Sequence, residues 1–366
     1  MKTVGHSVKD IAAAIGADAH GDTSLRVEHA AEPGSAGPND IAMATNASYA
    51  ETLADGDAKV ALLWDGADWQ ALGLKAAIIP RRPRYAMSGL TRLLDRGQGY
   101  GAGIHPSAVV DPSAELGEGV SVGPLAVISA GAKIGAGSII GPQCFIGWDV
   151  EMGADAFLRE HVSIGARVKI GDRFMAQPGA RIGGDGFSYT TPEPSSVETA
   201  RATLGDQRDS KGQAWARIHS LGAVTLGDDV EVGSNCTIDC GTIRDTKIGN
   251  RTKIDNLVQV GHNCVIGDDC LLCGHVGLAG SVKVGNNVVL GGQVGVSDNI
   301  FIGDGVIAGG GSKLLSNVPA GRTVLGYPAV KMDTHIETYK IQRRLPRLVR
   351  DIAALQKAVF KSDAKD

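Results

Sequence analysis

The sequence predicts a mainly β protein built around a parallel β-helix. An apolar residue returns every six positions over most of the stretch from Ile104 to Ile302, and glycine supplies 51 of 366 residues, about twice its usual share. Aromatic residues make up only 4% of the chain, which excludes a core of large aromatic side chains. A six-residue period fits neither a 3.6-residue helix nor the two-residue alternation of a strand. It fits a short strand followed by a tight turn, repeated around a prism.

The repeat forms a column of apolar residues in two blocks. The first runs from Val110 to Ile182, and the second begins at Leu226. In the second block, four extra residues interrupt the six-residue period between Ile238 and Ile248. We expect column residues to point inward, together with the small or branched residues two places before them. Glycine follows most column residues, and we expect it to allow the backbone angles of the corners. Three of these six-residue units close one coil, and stacked coils pair as parallel strands.

Residues 1 to 100 lack the repeat and predict a small α/β domain. Ser7 can cap a helix that Gly16 ends, because Val8, Ile11, Ala12 and Ile15 share one face. The capping box Ser48–Glu51 places Tyr49 on the first turn of a second helix. Apolar stretches at positions 60–64 and 76–80 predict strands.

The β-helix domain is expected at 101–330 and a helical segment at 331–366. Polar residues at 190–219 predict a loop excursion from the β-helix. In the last segment, Thr334 begins a capping box and Pro346 should end or kink the helix. A second amphipathic helix follows, and it should pack against copies of the chain. Nine Lys/Arg against five Asp/Glu from Lys331 onward make this tail basic, which favours an acidic partner or a solvated face.

Composition also limits location and partners. No apolar run approaches the length of a membrane span, and positions 1–21 lack the pattern of a secretory signal. We therefore expect a cytoplasmic protein with neither a membrane span nor a nucleic-acid partner.

A cluster of histidine and cysteine resembles metal-ligand spacing, but the repeat argues against a metal. Cys264 and Cys270 fall two places before column residues, as do Cys144 and Cys236. These are inward positions, where free cysteine acts as a small hydrophobe. We expect neither a metal site nor a disulfide.

His262 is the candidate catalytic residue. It lies two places after column residue Val260 and just past Gly261, where a side chain can leave the prism. Asp255 lies seven positions earlier, and a carboxylate near an imidazole raises its basicity. Gly280 lies three repeat units later, hence one coil up, where its N–H suits an oxyanion. The alternative is that His262 is only an exposed corner residue.

Several motifs resemble the UDP-3-O-acylglucosamine N-acyltransferases of lipid A biosynthesis. They span nearly the whole chain in the family's order. The matching segments are Asn46–Tyr49, Ile104–Ala108, Gly184–Phe187, Cys236–Asp239 with Gly241 and Thr242, Asp255–Asn263, and Leu325–Pro328.

This resemblance implies a left-handed β-helix and a homotrimer with active sites between neighbouring β-helices. It implies His262 as general base, Asp255 as its orienting carboxylate and Gly280 as oxyanion donor. It also implies that Asn46 and Tyr49 hold the uridine nucleotide.

The resemblance further implies transfer of a 3-hydroxyacyl chain to the 2-amino group of UDP-3-O-(3-hydroxyacyl)-glucosamine. The donor would be a phosphopantetheine-linked acyl carrier protein that docks on the basic C-terminal helices, with no other cofactor. We expect Asn256 and Gln259, on the active-site strand, to contact substrate. At two further substrate positions the chain departs from the family pattern, with Met43 for an aromatic residue and Asn299 for a histidine.

Other readings of the repeat stay open. Another acyltransferase of the same fold would use acyl-CoA on a nucleotide sugar and would need neither the Asn46 segment nor a basic tail. A carbonic-anhydrase-like trimer would need three zinc histidines, and a nucleotidyltransferase a glycine-rich phosphate loop near its start. A non-catalytic β-helix would not bind UDP-sugars.

Overall fold

The computed structural model describes residues 5–203, 205, 211–326 and 328–360, so Tyr327 of the last motif lies outside the described residues. The chain divides into two units, Met1–Tyr100 and Gly101–Asp366.

The first unit is an α/β domain around a five-stranded sheet. Its strands are, in spatial order, Asp18–Gly21, Ala76–Ile79, Val60–Leu62, Asp40–Met43 and His29–Ala31; the first pair is antiparallel and the others are parallel. A two-stranded ribbon joins His6–Ser7 to Arg26–Val27. The helices are α1 (Val8–Ile15), α2 (Ala47–Ala50) and α3 (Pro83–Leu94), with short 3-10 turns at Pro33–Ser35 and Leu53–Asp55.

The predicted N-terminal capping residue is correct for α1 and wrong for α2. For α1 the prediction is confirmed: the Ser7 side chain accepts from Asp10 N–H, and Gly16 ends the helix in the left-handed conformation. For α2 the predicted capping residue, Ser48, is wrong. Asn46 caps the helix by accepting from Tyr49 N–H at 3.0 Å, so α2 begins before Ser48. Tyr49 still lies in its first turn.

The second unit contains a parallel β-helix with three faces, named here A, B and C in chain order. Face A consists of Val109–Val110, Val127–Ile128, Phe145–Ile146, Ser163–Ile164, Arg181–Gly184, Thr237–Asp239, Gln259–Val260, Gly277–Leu278, Gly295–Val296 and Lys313–Leu314. Face B consists of Glu115–Leu116, Lys133–Ile134, Glu151–Met152, Lys169–Ile170, Val224–Leu226, Thr246–Ile248, Val265–Ile266, Lys283–Val284 and Phe301–Ile302. Face C consists of Ser121–Val122, Ile139–Ile140, Phe157–Leu158, Met175–Ala176, Glu231–Val232, Lys253–Ile254, Leu271–Leu272, Val289–Leu290, Ile307–Ala308 and Thr323–Val324. The predicted β-helix is confirmed, and its left-handed sense stays a prediction.

The prism interior is filled as the column predicts. Column residues such as Ile146 and Ile164 are fully buried, and so are the residues two places earlier, such as Val162. However, the prediction that the glycines after column residues supply the backbone angles of the corners is wrong. The left-handed corner positions are mostly not glycine, as in Asn263 (φ 62°). The glycines after column residues lie where the next coil approaches closely: a Cβ on Gly135 would lie 2.4 Å from the backbone nitrogen of the coil above.

The outward residues differ between the faces. On the first four coils of face B, acidic and basic side chains alternate up the stack, with Lys133 Nζ 3.5 Å from Glu115 and Lys169 Nζ 3.5 Å from Glu151. Face C instead carries a largely apolar outward set, broken by Glu231 and Lys253: Ile139, Phe157, Met175, Leu271, Val289 and Ile307. Face B is thus suited to water and face C to a protein contact.

The predicted loop excursion contains regular structure. A two-stranded ribbon joins Tyr189–Thr190 to Ala216–Arg217, and α4 spans Ser196–Thr203. Positions 204 and 206–210 of the excursion lie outside the described residues.

The C-terminal segment is one helix rather than two. α5 spans Met332–Phe360 with Pro346 inside it, so the prediction that Pro346 separates two helices is wrong. The helix also begins two residues before Thr334. In the described part of the chain, no helix is both long and apolar enough to cross a membrane.

Candidate active site

The departures from the regular coil occur at one corner of the prism, between faces A and B. Successive coils are normally three six-residue units apart, as Val260 and Leu278 are. The excursion leaves this corner after Ile182, and the four extra residues found in the sequence follow Ile238 at the same corner. His262 occupies this corner on the next coil. The irregular turns therefore lie on the two coils directly below the candidate catalytic residue.

Two glycines enclose the His262 side chain. A Cβ added to Gly280, one coil up, would lie 2.6 Å from His262 Nε2 and Cε1. A Cβ added to Gly186, at the start of the excursion, would lie 2.6 Å from His262 Cβ. Real Cβ atoms do not approach that closely, so a larger residue at either position requires the histidine or the glycine's own segment to shift. The predicted stacking of Gly280 on His262 is confirmed, and Ser281 N–H donates to the His262 carbonyl at 2.8 Å.

The His262 imidazole borders a cavity of about 600 Å³. Its Nδ1 is buried and has no hydrogen-bond partner among the described residues. Within the same part of the chain, Gly280 N–H has no hydrogen-bond acceptor. The cavity is lined by Asp185, Phe187, Asp239, Gln259, Gly261, His262, Leu278, Ala279, Gly280 and Asp298. It offers a nitrogen base and a backbone donor side by side.

Asp239 is a half-buried carboxylate of this cavity. Burial raises its pKa, while a hydrogen bond from Gln259 and the charge of His262 oppose the rise. Gln259 Nε2 donates to Asp239 Oδ2 at 3.1 Å, and the Thr237 hydroxyl donates to Gln259 Oε1. Gln259 thus lines the cavity, where it hydrogen-bonds to Asp239, and its contact with substrate stays a prediction. Asp239 was not predicted as a site residue, although the four extra residues in the repeat after Ile238 indicate that its turn is irregular.

No hydrogen bond joins Asp255 to His262 within one chain, so the role of Asp255 as the orienting carboxylate stays a prediction. Its carboxylate accepts from Asn256 N–H at 2.7 Å and from Gly274 N–H at 2.9 Å. It lies at the corner between faces C and A, in a different cavity. Asn256 lines that second cavity too, and its side-chain oxygen accepts from Ser234 N–H at 2.7 Å. A separation of seven residues carries the chain across one face.

The other predicted substrate residues have different surroundings. Asn299 is exposed, and its amide donates to Asp298 at 3.1 Å. In the first unit, Tyr49 is 55% exposed and Asn46 is exposed beside it. Met43 is partly buried and packs against the apolar core of that unit. Its side chain therefore contributes to the packing of that unit, and its contact with substrate stays a prediction.

The cysteines are structural, as their positions predict. Cys144, Cys236, Cys264 and Cys270 are buried in the prism, and burial raises the pKa of the Cys264 thiol to about 11. Among the residues that the structure describes, no three His, Cys, Asp or Glu side chains are grouped as metal ligands would be.

Comparison with known proteins gives consistent matches. The family described as bacterial transferase hexapeptide (six repeats) matches residues 113–147 and 245–280. A UDP-3-O-acylglucosamine N-acyltransferase of Ruegeria pomeroyi is 66% identical over 356 residues, which are 97% of this chain and 98% of the relative. The enzyme of that name from Paracoccus denitrificans is 58% identical over 97% of each chain. The one from Pseudomonas aeruginosa is 39% identical over 77% of this chain and 74% of its own.

A solved structure shares the fold. It is an Arabidopsis UDP-N-acetylglucosamine acyltransferase, with a TM-score of 0.51 and 25% identity over 61% of this chain and 71% of that one.

We predict that Asp239→Asn raises the free energy of unfolding at neutral pH. Because the pKa of this carboxyl is raised in the folded state, its ionisation costs stability above that pKa. The amide removes the cost, so the gain should be full at neutral pH. It should vanish as the pH falls through the raised pKa and below the ordinary aspartate range.

Urea denaturation across a pH series measures this gain. Asp185→Asn is the control, because Asp185 lines the same cavity but is exposed and paired with Arg217 at 2.7 Å. A gain that persisted unchanged in acid, or that the control reproduced, would contradict the assignment.

Proposed function

The chain belongs to the UDP-3-O-acylglucosamine N-acyltransferase family of lipid A biosynthesis, and we propose how its site carries out the transfer. A 3-hydroxyacyl chain moves from acyl carrier protein to the 2-amino group of UDP-3-O-(3-hydroxyacyl)-glucosamine. The reaction is cytoplasmic and direct, with no covalent enzyme intermediate. The single observation that carries this proposal is the His262 imidazole enclosed between two glycines at the edge of a cavity.

His262 is the general base in this proposal. The amino nitrogen attacks the thioester carbonyl, and His262 takes a proton from it as the new bond forms. The tetrahedral intermediate then collapses, the carbon–sulfur bond breaks, and His262 returns the proton to the departing thiol. The close approach of Gly280 to Nε2 supports this nitrogen as the reacting one.

Gly280 and Asp239 stabilise the charges that develop. Gly280 lines the cavity next to His262, and its N–H has no acceptor among the described residues, so we assign this N–H to the oxyanion. Asp239 interacts electrostatically with His262 from the same cavity. We assign to Asp239 the support of the imidazolium that was first expected from Asp255.

The active enzyme is proposed to be a homotrimer. The outward apolar residues of face C support this, as does α5. Along α5 an apolar residue recurs at alternating steps of four and three, in exposed positions: Ile341, Leu345, Leu348, Ile352, Leu355 and Val359. That spacing is typical of a helix that packs against other helices. Asp255 and His262 lie at opposite edges of face A, so a contact between them would have to join two protomers.

The first unit is proposed to bind the uridine nucleotide. Tyr49 offers an exposed aromatic face for stacking on uracil, and Asn46 precedes it at the start of α2. Because the Asn46 side-chain oxygen already accepts from Tyr49 N–H, its amide NH₂ remains to donate to the base.

The acyl carrier protein is proposed to dock on α5. Arg343, Arg350 and Lys357 recur every seven residues, so they share one face of the helix, opposite the apolar row. All three are exposed. A basic face opposite an apolar one can meet an acidic carrier while the helices pack together.

We predict that His262→Ala lowers kcat/KM by roughly 10²–10⁴-fold, the usual cost of losing a general base. The assay uses purified protein, UDP-3-O-acyl-glucosamine and acyl carrier protein loaded with a 3-hydroxyacyl chain. His275→Ala is the matched control, because His275 is an exposed corner histidine at the other edge of face A. Full activity of His262→Ala, or an equal loss in His275→Ala, would refute the assignment.

We predict that Arg343→Glu with Arg350→Glu raises KM for acyl carrier protein by roughly tenfold, since like charges then face the acidic carrier. The rise should shrink as salt is added. An acyl-pantetheine donor without the protein should react at the wild-type rate. An unchanged KM for the carrier protein would show that this face is not the docking site. Equal use of acyl-CoA by the wild type would favour the alternative donor.

A further inference from the structure

The excursion builds a third cavity, with a volume of about 680 Å³, a size typical of small-molecule sites. Its wall is mostly apolar, with three aromatic rings and one aliphatic side chain. The lining residues are Phe187, Tyr189, Thr190, Ser195, Val197, Glu198 and Trp215. Large apolar groups are unusual in so polar a segment. Phe187 is 84% exposed and Trp215 is 58% exposed, so both rings are left facing this space.

Two polar residues of the wall, Ser195 and Glu198, are hydrogen-bonded to each other. The Ser195 N–H donates to Glu198 Oε2 at 2.7 Å, and Glu198 N–H donates to the Ser195 hydroxyl oxygen at 3.2 Å. This reciprocal cap begins α4 and uses both side chains. A ligand in the cavity would therefore meet ring faces and methyl groups, with few polar partners.

Phe187 connects this cavity to the one that holds His262. It lines both cavities, and its ring meets that of Tyr189 edge to face with centroids 5.0 Å apart. The preceding residue, Gly186, is one of the two glycines that enclose His262, and its N–H donates to Ser220 Oγ at 3.0 Å. A molecule that reacts at His262 can thus extend past Phe187 into the apolar space.

We propose that this cavity binds the hydrocarbon chain of an acyl substrate, with Phe187 between the chain and the reacting centre. The inference rests on the proposed function and specifies one of its binding sites. A long alkyl chain fits because it is flexible and gains from burial against rings without needing hydrogen bonds. A nucleotide phosphate does not fit, because Glu198 would repel it. The chain can belong to the donor or to the acceptor, and the experiment separates the two.

The test measures kcat/KM for substrates of increasing chain length. One series varies the acyl chain on the carrier protein, and the other varies the 3-O-acyl chain on the UDP-sugar. For the chain that enters the cavity, each buried methylene should raise kcat/KM of the wild type by about fourfold. Val197→Asp, which puts a charge in the wall, should remove this dependence while the shortest substrates still react. Trp215→Ala should weaken it.

Ser196→Asp is the matched control. It adds the same charge one residue away, at an exposed position on the first turn of α4 that is outside the cavity lining. This variant should keep the wild-type dependence on chain length. Loss of the dependence in the donor series alone assigns the cavity to the donor chain, and loss in the acceptor series alone assigns it to the acceptor. Unchanged dependence in both series for Val197→Asp overturns the proposal.

A binding measurement keeps this inference separate from the proposed function. A fluorescent long-chain fatty acid should bind the wild type and Ser196→Asp with equal affinity, and Val197→Asp at least tenfold more weakly. If the wild type binds the probe in this pattern but transfers no acyl group, the proposed function fails and the chain site stands. Equal binding by all three proteins refutes the chain site even if acyl transfer is observed.

Discussion

The stacking of one coil on the next fixes where each side chain of this β-helix lies. Each regular coil consists of three six-residue units, so every side chain lies under the residue three units later, as Val260 lies under Leu278. Parallel pairing holds this register, because the inward column would otherwise leave the prism. The backbone of one coil then forms the ceiling over the side chains below. For His262 that ceiling is Gly280, which leaves room for the ring only because it has no Cβ.

The A/B corner combines this rigid stacking with two insertions. The excursion after Ile182 and the extra residues after Ile238 lie below His262 at the same corner. One contributes Gly186 and Phe187, and the other contributes Asp239. Insertions at a corner leave the strands on all three faces paired, so the prism tolerates them. The site is thus built from irregular segments held by a regular scaffold. The proposed acyl-chain cavity is formed by the longer of these segments, the excursion after Ile182.

Much of this could be predicted from the sequence where a position depends on the local pattern. The column predicted the interior, and the spacing of three units per coil predicted Gly280 above His262. Asp255 lies at the far edge of face A from His262 because seven residues cross a whole face, so its predicted partnership with His262 depends on a neighbouring chain. Asp239 was missed because the four extra residues change which side chains share a corner. Pro346 did not end α5, since a proline can be accommodated within a long helix at the loss of one hydrogen bond. Met43 packs inward because tertiary packing decides which side of a strand is covered.

The activity of Gly280→Ala tests whether His262 acts because two glycines fix its ring at the edge of the cavity. The added methyl group would lie 2.6 Å from Nε2, so we predict a displaced ring in the crystal structure. We predict a loss of kcat/KM approaching that of His262→Ala, with the fold and oligomeric state unchanged. Gly292→Ala is the control, because a Cβ there would meet nothing nearer than 3.5 Å. Wild-type activity in Gly280→Ala would contradict the account.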